Sequence, residues 1–133
     1  MKDTTITPRR IQRKRTKGFR LADECKNPNG YVICDRTSRF GNPIPWKELM
    51  DTMCIDSREA KRRSVILFRR FLLEPTLAHR DLGYKFFRIG NNLEKLRGKD
   101  LVCWCSLDEP CHCDVLLELA NQPEELQLPK SNT

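Results

Sequence analysis

Four cysteines and a histidine crowd one short stretch of the chain: Cys103, Cys105, Cys111, His112 and Cys113. Thiolates and imidazole are the donors a tetrahedral zinc ion takes. Cys103, Cys105 and Cys111 with one of His112 or Cys113 supply a set of four. The spacing departs from the usual zinc pair, because C-x-C holds two sulfurs close along one strand. The same donors suit an iron–sulfur cluster less well, since no cluster spacing is recognisable. A second chemistry uses one sulfur as a nucleophile, Cys111 or Cys105, its pKa lowered by a helix N-terminus and by His112. A third reading has no chemistry. Free cysteine is among the most buried residue types, so the sulfurs can pack beside Trp104 while His112 caps the helix.

Two further constellations carry charge. Arg36, Arg39 and Asn42 lie in the run Asp35 to Pro43. Two guanidinium forks and an amide there can grip a phosphate and read a base edge or a sugar. The plain alternative is a turn at Gly41-Asn42-Pro43 flanked by surface arginines. From Arg9 to Arg20 the chain has seven Lys or Arg and no acid. Such a segment can track a nucleic-acid backbone, with Phe19 available to stack on a base, or it can be a solvated tail with no partner.

The elements that must position these residues are legible in outline. Tyr31-Val32-Ile33-Cys34, after the turn-like Asn27-Pro28-Asn29-Gly30, reads as a buried strand. A helix runs from a cap at Asp56 or Ser57 to about Leu73, with Glu59 placed to complete a capping box and Pro75 closing the far end. Val65, Phe68 and Leu72 form its apolar stripe, and Arg62, Arg63, Arg69 and Arg70 its solvated face. Asn92 to Arg97 reads as a short helix stopped by Gly98, and Leu101 to Cys105 as a second buried strand. On that strand Cys103 and Cys105 point one way and Trp104 the other. Pro110 suits the first turn of a final helix with Val115, Leu116, Leu119 and Ala120 as its stripe. A tight loop between strand and helix N-terminus is also where α/β folds hold phosphates.

The order strand, helix, short helix, strand, helix predicts a small single-domain α/β fold with a partly parallel sheet flanked by helices. The expected limits are a loose N-terminal tail over 1–8, one domain over 9–121 and a loose C-terminal tail over 122–133. At 133 residues, 38% hydrophobic and 32% charged, the chain suits one globular core, and no apolar run is long enough to span a bilayer. No secretory signal is visible, so the expected compartment is the reducing cytoplasm. An odd count of seven cysteines then points to metal or thiol chemistry before disulfides, with Cys25, Cys34 and Cys54 as small buried apolar residues. The net charge of +7 favours a polyanionic partner.

The basic run Arg9 to Leu21, then Arg39-Phe40-Gly41-Asn42-Pro43, Leu96-Arg97-Gly98-Lys99-Asp100-Leu101, Cys103-Trp104-Cys105 and Cys111-His112 with Asp114-Val115-Leu116-Leu117 together resemble a phage and bacterial family, domain of unknown function 4326. The resemblance covers most of the chain and implies no activity. It implies a phage or prophage origin, with the host cytoplasm as location, and a basic segment that belongs to the folded domain. Arg13, Arg15, Gly41, Asn42, Pro43, Cys103, Trp104, Cys105, Cys111, His112 and Asp114 match its motif positions. Cys113 stands where the family more often has a small residue, so it is not counted as an essential ligand. Asp35-Arg36-Thr37-Ser38 replaces a pattern like Gly-Arg-Pro-Ser.

The expectation drawn from all of this is a nucleotide or nucleic-acid phosphate bound between the Arg39 to Pro43 loop and the Cys105 to Asp114 turn. Arg13, Arg15 and Arg39 would neutralise phosphate and Asn42 would hydrogen-bond. In an enzyme version Cys111 or Cys105 is the nucleophile, His112 the proton carrier and Asp114 an orienting carboxylate, acting in nucleotide or base modification. The alternative is a non-enzymatic module with zinc on Cys103, Cys105, Cys111 and His112, contacting nucleic acid or a host protein through the basic segment.

Overall fold

Short runs of β-prone residues build the sheet. The structure, a computed structural model, describes residues 7–122. Arg10–Gln12 (β1), Tyr31–Ile33 (β2) and Asp100–Cys103 (β3) form a sheet of order β1-β3-β2, parallel throughout. The α/β expectation holds. All four residues of the central β3 are buried, as a strand covered on both faces requires. The tails expected over 1–8 and 122–133 lie outside the described residues except for Thr7, Pro8 and Gln122.

Parallel strands need long connections, and these carry the helices. Leu21–Glu24 (α1) lies between β1 and β2; Trp46–Met53 (α2), Ser57–Leu73 (α3) and Arg80–Asn91 (α4) lie between β2 and β3; His112–Ala120 (α5) follows β3. The core joins Phe68 and Leu72 of α3, Phe86 and Ile89 of α4, Leu101 and Cys103 of β3, and Leu116 and Leu119 of α5.

The expected α3 is present from Ser57 to Leu73, capped by Asp56, whose Oδ1 accepts the Glu59 N–H at 2.8 Å. Its capping box is not completed. The Glu59 carboxylate is taken by Arg62 and Arg63, which hold its pKa down to about 2. The short helix before Gly98 is a 3-10 turn over Leu93–Leu96, and Gly98 has φ +77°, the left-handed conformation that favours glycine.

Other expectations need correction. The strand expected over Leu101 to Cys105 ends at Cys103, because the indole of Trp104 turns to donate to Asp35 Oδ2 at 3.2 Å. Cys103 and Cys105 therefore do not share a strand face. Pro110 precedes the final helix, and Cys111 is its N-cap, with a sulfur that accepts the Cys113 N–H at 3.5 Å. Cys34 is buried as expected, whereas Cys25 is half-buried and Cys54 exposed. Helices α1, α2 and α4 had no counterpart in the sequence reading. The basic segment belongs to the folded domain, as the family resemblance implied, and it does so through a strand that had no counterpart in the sequence reading.

Candidate functional site

Two loops leave the carboxyl ends of adjacent parallel strands and meet above the sheet. The loop after β2 is pinned from within. Arg36 Nη1 donates to the Asn42 carbonyl, and Asn42 Nδ2 donates to Ser64 Oγ of α3 at 2.9 Å. Asn42 Oδ1 accepts the Ile44 N–H at 2.9 Å, and Ser64 Oγ donates to the Ile44 carbonyl at 3.0 Å. At Gly41 a Cβ would stand 2.5 Å from the Asp35 carbonyl oxygen, so only glycine lets the loop fold back on itself. The loop after β3 is pinned by Arg10. Its Nη2 donates to the carbonyls of Ser106, Leu107 and Glu109 at 3.1, 2.9 and 3.0 Å.

Between the loops lies a cavity of about 370 Å³. Asp35, Arg36, Thr37 and Asn42 line it from the first loop; Trp46 of α2 and Lys61, Ser64 and Val65 of α3 form a side wall. Cys103, Trp104, Cys105, Glu109, Pro110, Cys111 and His112 close it from the second. The carboxyl edge of a parallel sheet is where open α/β folds bind ligands. The volume is that of a small-molecule site.

The sulfurs converge on the cavity floor. Cys111 Sγ lies 3.2 Å from Cys103 Sγ and 3.8 Å from His112 Nδ1. His112 Nε2 is 2.7 Å from the Cys34 carbonyl oxygen. A carbonyl only accepts, so Nε2 carries a proton and Nδ1 is the nitrogen turned to the sulfur. Hydrogen bonds from Cys103, Cys105 and Cys113 hold the Cys111 thiol well below its ordinary range despite burial, and the contact with His112 acts in the same direction. The same contacts push Cys105 and Cys113 up. Cys103 is lowered as well, by Cys105 and Cys113, so the two acidic sulfurs are neighbours, and Cys111 stands besides at the positive end of α5.

Arg10 stands beneath that sulfur. Its side chain is 6% exposed, its Nε faces Asp114 Oδ1 at 3.5 Å, and its Nη1 is buried with no hydrogen-bond partner among the described residues. Burial opposes the guanidinium charge, but contact with Cys111 and the charges of Cys111 and Asp114 outweigh it and raise the pKa. Asp35 shows a similar balance. Burial would raise its carboxyl, yet donors from Thr37 and Trp104 and the nearby Arg13 hold it below the usual range.

The structure therefore brings together Cys103, Cys105, Cys111, His112 and Asn42, though both ends of the Asn42 amide are already engaged inside the protein. Arg39 is exposed and does not line the cavity; the arginine that does is Arg36. Arg13 and Arg15 stack on Trp104, their guanidinium carbons 4.9 and 4.6 Å from the ring centre. Asp114 faces Arg10, and the group that orients His112 is the Cys34 carbonyl. The sulfurs of Cys103, Cys111 and Cys113 lie within 4.8 Å of one another, a buried group that could hold a metal ion. Cys113, set aside in the sequence reading, thus belongs to the cluster.

Arg10, Trp46 and Lys61 were missed. Nothing in a run of seven basic residues marks which one turns inward, and α2 and α3 are remote in sequence from the sulfurs. A model of one protein family matches residues 11–122 of the 133. The chain belongs to the family described as a domain of unknown function (DUF4326). The match runs from β1 to the residue pair after α5, so both cavity loops are inside it. No curated protein and no solved structure matches the chain. Among the described residues, no helix is long and apolar enough to cross a membrane.

Proposed function

We propose that this member of the family binds a nucleotide in the cavity and uses Cys111 as a thiolate on it, in nucleotide or base modification. The observation that carries the reading is the convergence of Arg36, two indoles and the Cys111–His112 pair on one cavity at the carboxyl edge of a parallel sheet. Trp46 and Trp104 line the cavity with indole surface that a base can meet, although Lys61 already lies over Trp46 and Arg13 and Arg15 over Trp104. Arg36 and Lys61 supply charge for a phosphate, although Lys61 also meets Glu109 at 3.3 Å. His112 Nδ1 faces the sulfur whose proton it would take, and the Cys34 carbonyl fixes the ring.

Both tryptophans of the chain line the cavity, so binding reads directly in their fluorescence. Nucleoside 5′-monophosphates are expected to change that fluorescence saturably, and Arg36→Ala to weaken binding about tenfold or more, as loss of a charge-assisted contact does. No response at millimolar nucleotide would refute the reading.

The three sulfurs within 4.8 Å favour one second reading, a zinc ion on Cys103, Cys111 and Cys113 with His112 Nδ1 or Cys105 completing the set. The donor chemistry fits, including an imidazole whose other nitrogen donates to a backbone carbonyl. Protein purified without chelator separates the two. A free thiolate predicts no bound zinc and alkylation of Cys111, reached through the cavity, that persists as pH falls below 7. The zinc reading predicts about one zinc per chain and a protected Cys111.

A further inference from the structure

The seven basic residues from Arg9 to Arg20 divide into two sets in the fold. Arg9, Arg10 and Arg13 meet Asp100, Asp114 and Asp35 at 3.8, 3.5 and 3.5 Å, and Arg20 meets Asp23 at 3.8 Å. Lys14, Arg15 and Lys17 are exposed, and among the described residues no carboxylate pairs with them. Their place is fixed by the sheet. The Arg13 N–H donates to the Cys103 carbonyl at 2.7 Å, the last rung before the chain leaves β1 beside Trp104. Arg15 then lies against the Trp104 ring, and Trp104 is a wall of the cavity. The unpaired cations begin at the cavity rim.

A free mononucleotide would place its one phosphate in the cavity with Arg36 and use none of these three. A strand of nucleotides would lay the phosphates of its neighbours along them. A single strand suits the cavity best, because a base seated there is out of its stack and out of its pair, which a duplex reaches only at the cost of unpairing. Resting on the nucleotide reading above, we propose that the ligand of the cavity is one nucleotide of a single-stranded nucleic acid whose flanking phosphates lie on Lys14, Arg15 and Lys17. Electrostatic contact with phosphates is sequence-tolerant, which leaves any base preference to the cavity.

The test compares dye-labelled twelve-nucleotide single strands, oligo-deoxythymidylate and oligouridylate, with thymidine and uridine monophosphates as competitors, by fluorescence anisotropy on the full chain. The expected result is at least about tenfold tighter binding of a strand than of its mononucleotide in low salt. With the cavity phosphate and three flanking ones neutralised, log affinity against log salt should have a slope of about −3. Lys14→Gln with Lys17→Gln should flatten that slope by about 1.4 and leave mononucleotide affinity unchanged. A preference between the two strands reports the sugar and the base methyl group together, and either preference supports the proposal. Equal affinity for strand and mononucleotide, a salt slope untouched by the double variant, or polyglutamate binding as tightly as the strands would overturn it while leaving the nucleotide site standing. Absence of binding by both strand and mononucleotide would overturn the two together.

Discussion

Arg10→Gln is expected to lower stability by about 3 kcal/mol, among the largest effects of any single substitution outside the apolar core. The guanidinium is 6% exposed, and its Nη2 alone satisfies three carbonyls, those of Ser106, Leu107 and Glu109. The shorter amide cannot reach all three. The three carbonyls are only part-buried, but each loses a hydrogen bond to a charged, buried donor, about 1.5–3 kcal/mol apiece at most, and Asp114 loses its counter-charge as well. Urea denaturation of both proteins gives the difference directly. Because Arg10 also lies beside Cys111, the variant should raise the pH at which that thiol becomes reactive. Arg10→Lys keeps the charge and loses the fork, so it should restore the reactivity more fully than the stability. A stability loss below about 1 kcal/mol would show that the loop carrying Ser106 to Glu109 is held by something else.

Gly41→Ala is expected to cost about 3 kcal/mol and to remove ligand binding together with stability. The added Cβ would sit 2.5 Å from the Asp35 carbonyl oxygen and 2.6 Å from the Arg36 Cα. Both are backbone atoms, which cannot swing aside as a side-chain tip can. Relief therefore requires the loop to open, and opening carries Arg36 and Asn42 away from the cavity. Gly90 in α4 supplies the control, since a Cβ there meets only Leu72 Cδ1 at 3.8 Å. Alanine at that position should leave stability equal or raise it by up to about 1 kcal/mol. Thermal or urea unfolding of the pair decides the matter, and equal stabilities would mean the loop is not closed as described.

Much of the framework was legible because it is written locally. The strand at Tyr31–Ile33, the helix from Ser57 to Leu73 and the final helix with its leucine stripe follow from runs, caps and periodicity within a few residues. Helix α4 was within reach of the same reasoning, since Leu82, Phe86 and Ile89 recur at helical spacing, but Gly83 and Gly90 weaken the signal. Helix α2 is only eight residues long and follows Pro43 and Pro45, which leaves little periodicity to read. The strand at Arg10–Gln12 was hidden by its charge. A strand of one arginine, one isoleucine and one glutamine inside a basic run reads as a solvated tail until the sheet supplies its pairing.

The sequence by itself settled the donors: sulfur and imidazole in one stretch, guanidinium in two others, and the elements nearest to them. Tertiary structure decided which of those donors share a space. It turned Arg10 inward to three carbonyls and a sulfur, sent Arg13 and Arg15 onto Trp104, chose Arg36 over Arg39 for the cavity, and drew Cys113 into the cluster. The physical reason is range. Propensity, capping and amphipathic spacing act over a few residues and leave a pattern in the chain, whereas a contact such as Arg10 with Glu109 joins segments 99 residues apart and leaves none.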